Sequence, residues 1–259
     1  MLRATFHRPL LLLALVSACR ETPPPSATDA PVATAPSPAR PAADVKWGTI
    51  EGRVHLTGTP PAPTLSPTTG TVVSVCGEQA EDRSLVVGSA GELAHTVVSL
   101  KSGAGLPAPT RPPPEPVLDQ KKCVYEPPVL AARAGGSVTL RNSDPLVHNV
   151  RAASGSNRSF FNVAMPLEGM TTRKPLPAEP GLVPIRCDIH PWMRAVVRTF
   201  DHFYFATTSP EGRFKLEVPE GTHTLVFWHE RLPPAERTVT VRAGEIAEVD
   251  QSWAVGDLK

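Results

Sequence analysis

Cys187-Asp188-Ile189-His190-Pro191-Trp192-Met193 puts a thiolate, an imidazole and a thioether in one short loop, and upstream Asp144-Pro145-Leu146-Val147-His148-Asn149 supplies a second imidazole. Thiolate and thioether are soft donors that stabilise Cu(I), while imidazole serves both oxidation states. A trigonal set of His148, His190 and Cys187 with a weak axial Met193 therefore suits a copper ion that cycles between Cu(I) and Cu(II). The plainer reading is a buried Cys beside an unrelated His and Met, since Cys is often buried and a lone His is usually structural. The fourth donor and its setting weigh against it. Ala134-Gly135-Gly136 reads as a turn and Ser137-Val138-Thr139-Leu140-Arg141-Asn142 as an alternating strand, with His148 after a short loop. Pro184-Ile185-Arg186 runs into Cys187, and Ala195-Val196-Val197 follows Met193. Such flanks predict a site at one end of a β-sandwich, its loop bridging two strands.

Residues 115–200 resemble the small cupredoxins, plastocyanin and especially amicyanin. The Cys-x2-His-x2-Met loop with Pro191 after the second His is similar to the short amicyanin ligand loop. The Asn142-x5-His148-Asn149-Val150 segment is similar too. The resemblance implies a type 1 (blue) copper electron-transfer protein with His148, Cys187, His190 and Met193 as ligands. It also implies that Asn142 hydrogen-bonds across to the Cys loop, supporting the site together with Asn149. By the same resemblance the ring edge of His190 is exposed for electron passage, and Pro191 and Trp192 belong to an apolar docking patch. Leu146, Val147, Pro191 and Trp192 would exclude water and favour Cu(I). The implied partner is a periplasmic redox protein such as a c-type cytochrome. Residues 151–183 depart from the pattern, being rich in polar residues and Pro, and their strands are hard to place.

The N-terminus addresses the chain. Arg3 and Arg8 precede the apolar run Leu10–Val16, followed by Ser17-Ala18-Cys19. A basic start, a short apolar run and small residues form a secretory signal too short to span a bilayer. Val16-Ser17-Ala18-Cys19 also resembles a bacterial lipobox, which would make Cys19 a lipidated first residue after a signal of residues 1–19; ordinary cleavage after Ala18 is the alternative. Arg20, rather than Asp, after the Cys points to the outer membrane. Residues 20–46 carry Pro among Ala, Ser and Thr without periodicity, and read as a disordered tether.

The remaining chain is long enough for two small β domains. Gly48-Thr49-Ile50-Glu51-Gly52-Arg53-Val54 resembles the opening strand of a carboxypeptidase regulatory-like (transthyretin-like) sandwich. Thr207–Phe214, Val218–Leu225 and Arg242-Ala243-Gly244-Glu245 resemble its later strands and turns. The expected fold class is all-β, with a cupredoxin Greek-key sandwich (112–200) inserted in or adjacent to a second small sandwich built from residues 47–111 and 201–259. Insertion is preferred over two tandem domains.

Of the four cysteines, Cys19 is wanted by lipid and Cys187 by copper. In an exported protein the remaining pair, Cys76 and Cys123, reads most simply as a disulfide; a second thiolate metal site is the rival reading. His55, His95, His202, His223 and His229 match no short-loop chelate and read as structural or surface residues. A net charge of +1 without a basic stripe excludes nucleic acid as a partner. No Ser-His-Asp set or carboxylate pair stands out, so the chain is read as a non-enzyme. The function expected is one-electron transfer in the cell envelope. The alternative is an envelope binding or scaffold protein, for carbohydrate or protein, whose copper is structural or serves copper handling.

Overall fold

Alternation builds the strands. Over Arg213–Pro219 the side chains of Phe214, Leu216 and Val218 turn inward while Arg213, Lys215 and Glu217 face solvent. Over Ser137–Asn142 the inward set is Val138, Leu140 and Asn142. A period of two puts one face of each strand in a core.

The structure is a computed structural model that describes residues 45–68, 70–154 and 159–259. The signal, Cys19 and the tether up to residue 44 lie outside the described residues. In chain order come β1 (Trp47–Thr57), β2 (Leu65–Pro67), β3 (Gln79–Glu81) and β4 (Val97–Leu100), with a helical turn α1 (Val73–Cys76) between β2 and β3. Then follow β5 (Val117–Lys121), β6 (Val124–Glu126), β7 (Val129–Arg133), β8 (Ser137–Asn142), β9 (His148–Ala153), β10 (Ser159–Met165), β11 (Thr171–Pro175), β12 (Gly181–Arg186) and β13 (Arg194–Phe200). The last are β14 (Phe205–Thr207), β15 (Arg213–Pro219), β16 (Gly221–Trp228), β17 (Ala235–Val241), β18 (Ile246–Glu248) and β19 (Gln251–Ala254). The fold is all-β, as expected.

The middle strands form a sandwich of a five-stranded sheet, β10-β9-β12-β13-β7, and a four-stranded sheet, β11-β8-β5-β6. Its core holds Leu118, Leu140, Val150, Met165, Ile185 and Val197. The strands that were hard to place in sequence include β10 and β11, which are the edges of these sheets. Their burial alternates, but the half-buried positions of β11 are Thr172 and Lys174, so no apolar period marks that strand in the sequence. Pro184 is tolerated in β12 because the β9 pairing covers only Ile185 and Arg186, leaving that side of the strand open at the proline.

Strands from the two ends of the chain share the other sheets. β1 lies between β15 and β18 and also pairs with β19, while β4 lies between β14 and β16, with β17 beyond. Their joint core includes Ile50, Leu56, Val98, Phe214, Leu225 and Phe227. At Gly52 the backbone of β1 passes so close to Val249 that an added Cβ would sit 1.9 Å from its carbonyl oxygen. Only glycine fits there.

Between the two cores lies a small third cluster of Val97, Val129, Val196, Phe200 and Phe205, with Phe200 and Phe205 stacked at 5.1 Å. Arg83 pairs with Glu126 at 3.5 Å and Arg194 with Asp82 at 3.8 Å and with Glu230. The segment from β2 to β3 is an excursion of the outer sandwich. Its Cys76 joins the core of the middle sandwich, with Val72 and Val75 packed against it.

Candidate metal centre

The donors sit where strands begin and end. His148 is the first residue of β9, Cys187 follows the last residue of β12, and Met193 precedes the first residue of β13. Arg186 pairs with Arg194, so β12 and β13 close the loop 187–193 at its base. Inside it, the Met193 N–H donates to the His190 carbonyl at 2.9 Å and the Cys187 N–H to the Met193 carbonyl at 3.2 Å. The pairing of Ile185 with Ala152 and Arg186 with Arg151 brings β9, and with it His148, alongside.

The side chains converge. One ligand atom from each of His148, Cys187 and His190 lies within 4.8 Å of the others, all three residues buried. The two Nδ1 atoms face each other at 2.9 Å, and Cys187 Sγ lies 3.7 Å from His190 Nδ1. Met193 is fully buried in the same core as Cys187. The structure thus gathers His148, Cys187 and His190 around one point and buries Met193 in the same core as Cys187.

Asp144 sets the His148 tautomer. Its Oδ2 accepts the His148 Nε2–H at 2.9 Å. A carboxylate can only accept here, so the proton stays on Nε2 and the Nδ1 lone pair faces the gathering point. Burial alone would raise the Asp144 carboxyl, but His148 and the N–H groups of Cys123 and Lys122 hold it below its ordinary value. Burial would lower His148; the bonds to Asp144 and Cys187 outweigh it and raise it. His190 is lowered, first by burial and then by the charge of His148. Burial pushes the Cys187 thiol up, yet hydrogen bonds from His148 and from the backbone at Asn149, His190 and Ile189 bring it down overall. A thiol eased toward thiolate is the form that binds metal.

Asn142 does not reach the Cys loop. Its Nδ2 donates to the Leu146 and Met165 carbonyls at 2.8 and 2.9 Å, and its Oδ1 accepts the Asp144 N–H at 3.0 Å. It therefore shapes the turn that presents Asp144 and His148. The bond across to the loop is made by Asn149, whose Oδ1 accepts the Asp188 N–H at 2.7 Å and lies 3.3 Å from Cys187 Sγ. Asn149 Nδ2 also donates to Asp188 Oδ2 at 2.9 Å, and Arg151 holds the other oxygen of that carboxylate. Two residues on β9 thereby brace the loop. The physical reason is direction: Asn149 neighbours His148 on the strand facing the loop, whereas Asn142 sits on the opposite sheet.

His190 is also more enclosed than the resemblance implies, keeping 4 % of its surface. Trp192 packs 5.3 Å from it and turns its Nε1–H inward to the Cys123 carbonyl at 2.9 Å. Pro191 is exposed and Trp192 half-buried, while Ile189 in the same loop and Val147 next to His148 in sequence are 48 % and 47 % exposed. Leu146 is half-buried.

Cys76 and Cys123 form a disulfide. Among the described residues the other group at metal-ligating distance is Cys123, Asp144 and His148, and its cysteine is the disulfide one. Of the remaining histidines, His202 Nδ1 accepts the Tyr204 N–H and His223 Nε2 donates to the Pro219 carbonyl. Sequence reasoning missed Asp144. Its signal was the Asp-x3-His spacing, four residues apart across a turn.

No family model matches the chain, and no curated protein matches it. Among solved structures, a reduced Cu(I) form of an amicyanin mutant is 25 % identical over 40 % of this chain and 98 % of its own, with a TM-score of 0.30. Amicyanin from Paracoccus versutus (Thiobacillus versutus) is 23 % identical over 40 % of this chain and 97 % of its own, with a TM-score of 0.30. A purple cupredoxin from Nitrosopumilus maritimus is 23 % identical over 33 % of this chain and 100 % of its own, with a TM-score of 0.29.

Proposed function

We propose that this chain holds one copper ion at His148, Cys187, His190 and Met193 as a type 1 centre and carries single electrons in the cell envelope. One observation carries the reading: the His148 imidazole, distant in sequence, converges with Cys187 and His190 of one short loop within 4.8 Å in a buried place. The donors fit the ion. Asp144 turns His148 Nδ1 toward His190 and Cys187, the Cys187 thiol is acidified, and the thioether of Met193 lies in the same core as Cys187. Copper bound there supplies one-electron cycling between Cu(II) and Cu(I).

The chain's own residues do the rest. Asn149, Asp188 and Arg151 stiffen the loop, and Asp144 fixes one imidazole. Donors that cannot move suit both oxidation states and keep reorganisation small. Enclosure by Trp192, Leu146 and the core keeps water off the thiolate. Exposed Val147, Ile189 and Pro191 offer a small apolar surface of the kind used in brief redox encounters. A c-type cytochrome is a fitting partner. The outer sandwich, carboxypeptidase regulatory-like in its turns, serves as scaffold, and the leader running up to Cys19, followed by its Pro-rich tether, supports a lipid-anchored, outer-membrane address. In this reading the protein is a carrier and not an enzyme.

Copper titration of the metal-free chain tests it. One ion per chain is expected, with a thiolate-to-copper charge-transfer band in the oxidised form. The band should bleach on one-electron reduction and be absent from Cys187→Ser. Zero stoichiometry, or a Cys187→Ser protein that keeps the band, refutes the proposal.

A further inference from the structure

We infer that the disulfide-anchored turn Lys122–Cys123 is a positioning element of the metal centre, so that the outer sandwich, through Cys76, sets how the donors are held. The inference rests on the copper reading above for its consequence, though not for its geometry. The turn joins β5 to β6 with two residues, both in the left-handed region, at φ 53° and 56°. Two-residue hairpins of this hand favour Asn-Gly, and neither Lys nor Cys adopts the conformation readily. Such backbone persists only where its surroundings over-determine it, and it gathers at functional sites.

The surroundings here are the metal centre. The Lys122 N–H donates to Asp144 Oδ1 at 2.6 Å and the Cys123 N–H to Asp144 Oδ2 at 2.8 Å. That same Oδ2 accepts the His148 Nε2–H at 2.9 Å. On the other side, the Cys123 carbonyl accepts the Trp192 Nε1–H at 2.9 Å, and Trp192 lies between His190 and Met193. A single residue thus touches both halves of the donor set, the β9 imidazole through Asp144 and the ligand loop through Trp192. Its sulfur lies within 4.8 Å of the ligating atoms of Asp144 and His148. Cys123 is fully buried and covalently fixed to Cys76, which the excursion of the outer sandwich delivers into this core with Val72 and Val75. A staple acting on stability alone would not have to lie against Asp144 and Trp192. This one fixes the position of the peptide groups that both of them use.

The test uses the full chain and two variants, Cys76→Ser/Cys123→Ser and Trp192→Phe, the second keeping the disulfide and an aromatic ring. In metal-free protein, the His148 Nε2–H is followed by NMR as a solvent-exchange rate, with backbone amides of β8 and β12 as the control for folding. Cu(II) affinity and the charge-transfer band are then measured. For the double variant, faster exchange at His148 is expected with core amides still protected, and copper affinity roughly 10–100-fold weaker, the usual cost of losing a partner behind a metal ligand. Trp192→Phe should shift the band through the loop while His148 exchange stays unchanged. A folded double variant with wild-type His148 exchange overturns the inference. If the double variant does not fold, Trp192→Phe decides, and an unchanged band and affinity overturn it. Should the wild-type chain bind no copper, the copper reading falls, and the His148 exchange rate still judges the positioning role.

Discussion

Acidification to about pH 5 should destabilise this protein by about 4 kcal/mol through two histidines outside the candidate metal centre. His95 and His229 are both pushed down to about 4. Burial is the largest cause for each; the charge of Arg83 adds to it at His95, and at His229 the charges of His95 and Arg231 do. In the folded chain both rings stay neutral at a pH where the unfolded chain, with ordinary imidazoles, takes up protons. Stability is therefore full above the ordinary value of 6.5 and is lost as pH falls from there toward about 4. At about pH 5 the difference in proton uptake is worth about 2 kcal/mol for each ring. Against a typical total of roughly 5–15 kcal/mol, the pair would remove a large share. Urea unfolding of the wild type and of His95→Gln/His229→Gln at about pH 7.5 and about pH 5 measures it, the variant cancelling the contribution of every other titrating group. The variant should lose about 4 kcal/mol less than the wild type over that interval. Equal losses in the two proteins would refute the argument, because they would mean that these rings titrate alike folded and unfolded.

Three further outcomes follow from particular residues. Met193→Leu should retain copper and raise the reduction potential, read by redox titration, because Cu(II) calls for more donors than Cu(I) does and so loses more when the axial one is removed. Gly52→Ala should destabilise by about 1–3 kcal/mol or more in urea unfolding, since its Cβ would meet the Val249 carbonyl oxygen at 1.9 Å. Cys19→Ser should release a soluble form and abolish lipid labelling in cells, and a variant that still fractionates with membranes would refute the anchor.

The two sandwiches are joined by more than chain connectivity. Val97, Val129, Val196, Phe200 and Phe205 pack together, Arg83 and Arg194 reach carboxylates, and Cys76 is covalently bound to Cys123. Part of the middle sandwich's core is therefore supplied by residues 72–76, which precede it by a wide stretch of sequence. Truncation at residue 112 would remove that piece, so the middle sandwich is complete only with the excursion in place.

The sequence by itself determined the local features. The candidate donors Cys187, His190 and Met193 are legible because they share a seven-residue loop whose chemistry does not depend on what lies far away. Strands such as Ser137–Asn142 and Arg213–Pro219 are legible because alternation is a property of each segment. The Cys76–Cys123 pairing was legible by elimination. Only the tertiary structure decided that Asp144 holds His148, that Asn149 and not Asn142 braces the loop, and that Trp192 turns inward to Cys123. It alone showed Cys123 standing behind both halves of the donor set. Each of these depends on which way a side chain points once two sheets are closed against each other. Spacing along the chain does not encode that direction; the packing of β8, β9 and the loop 187–193 does.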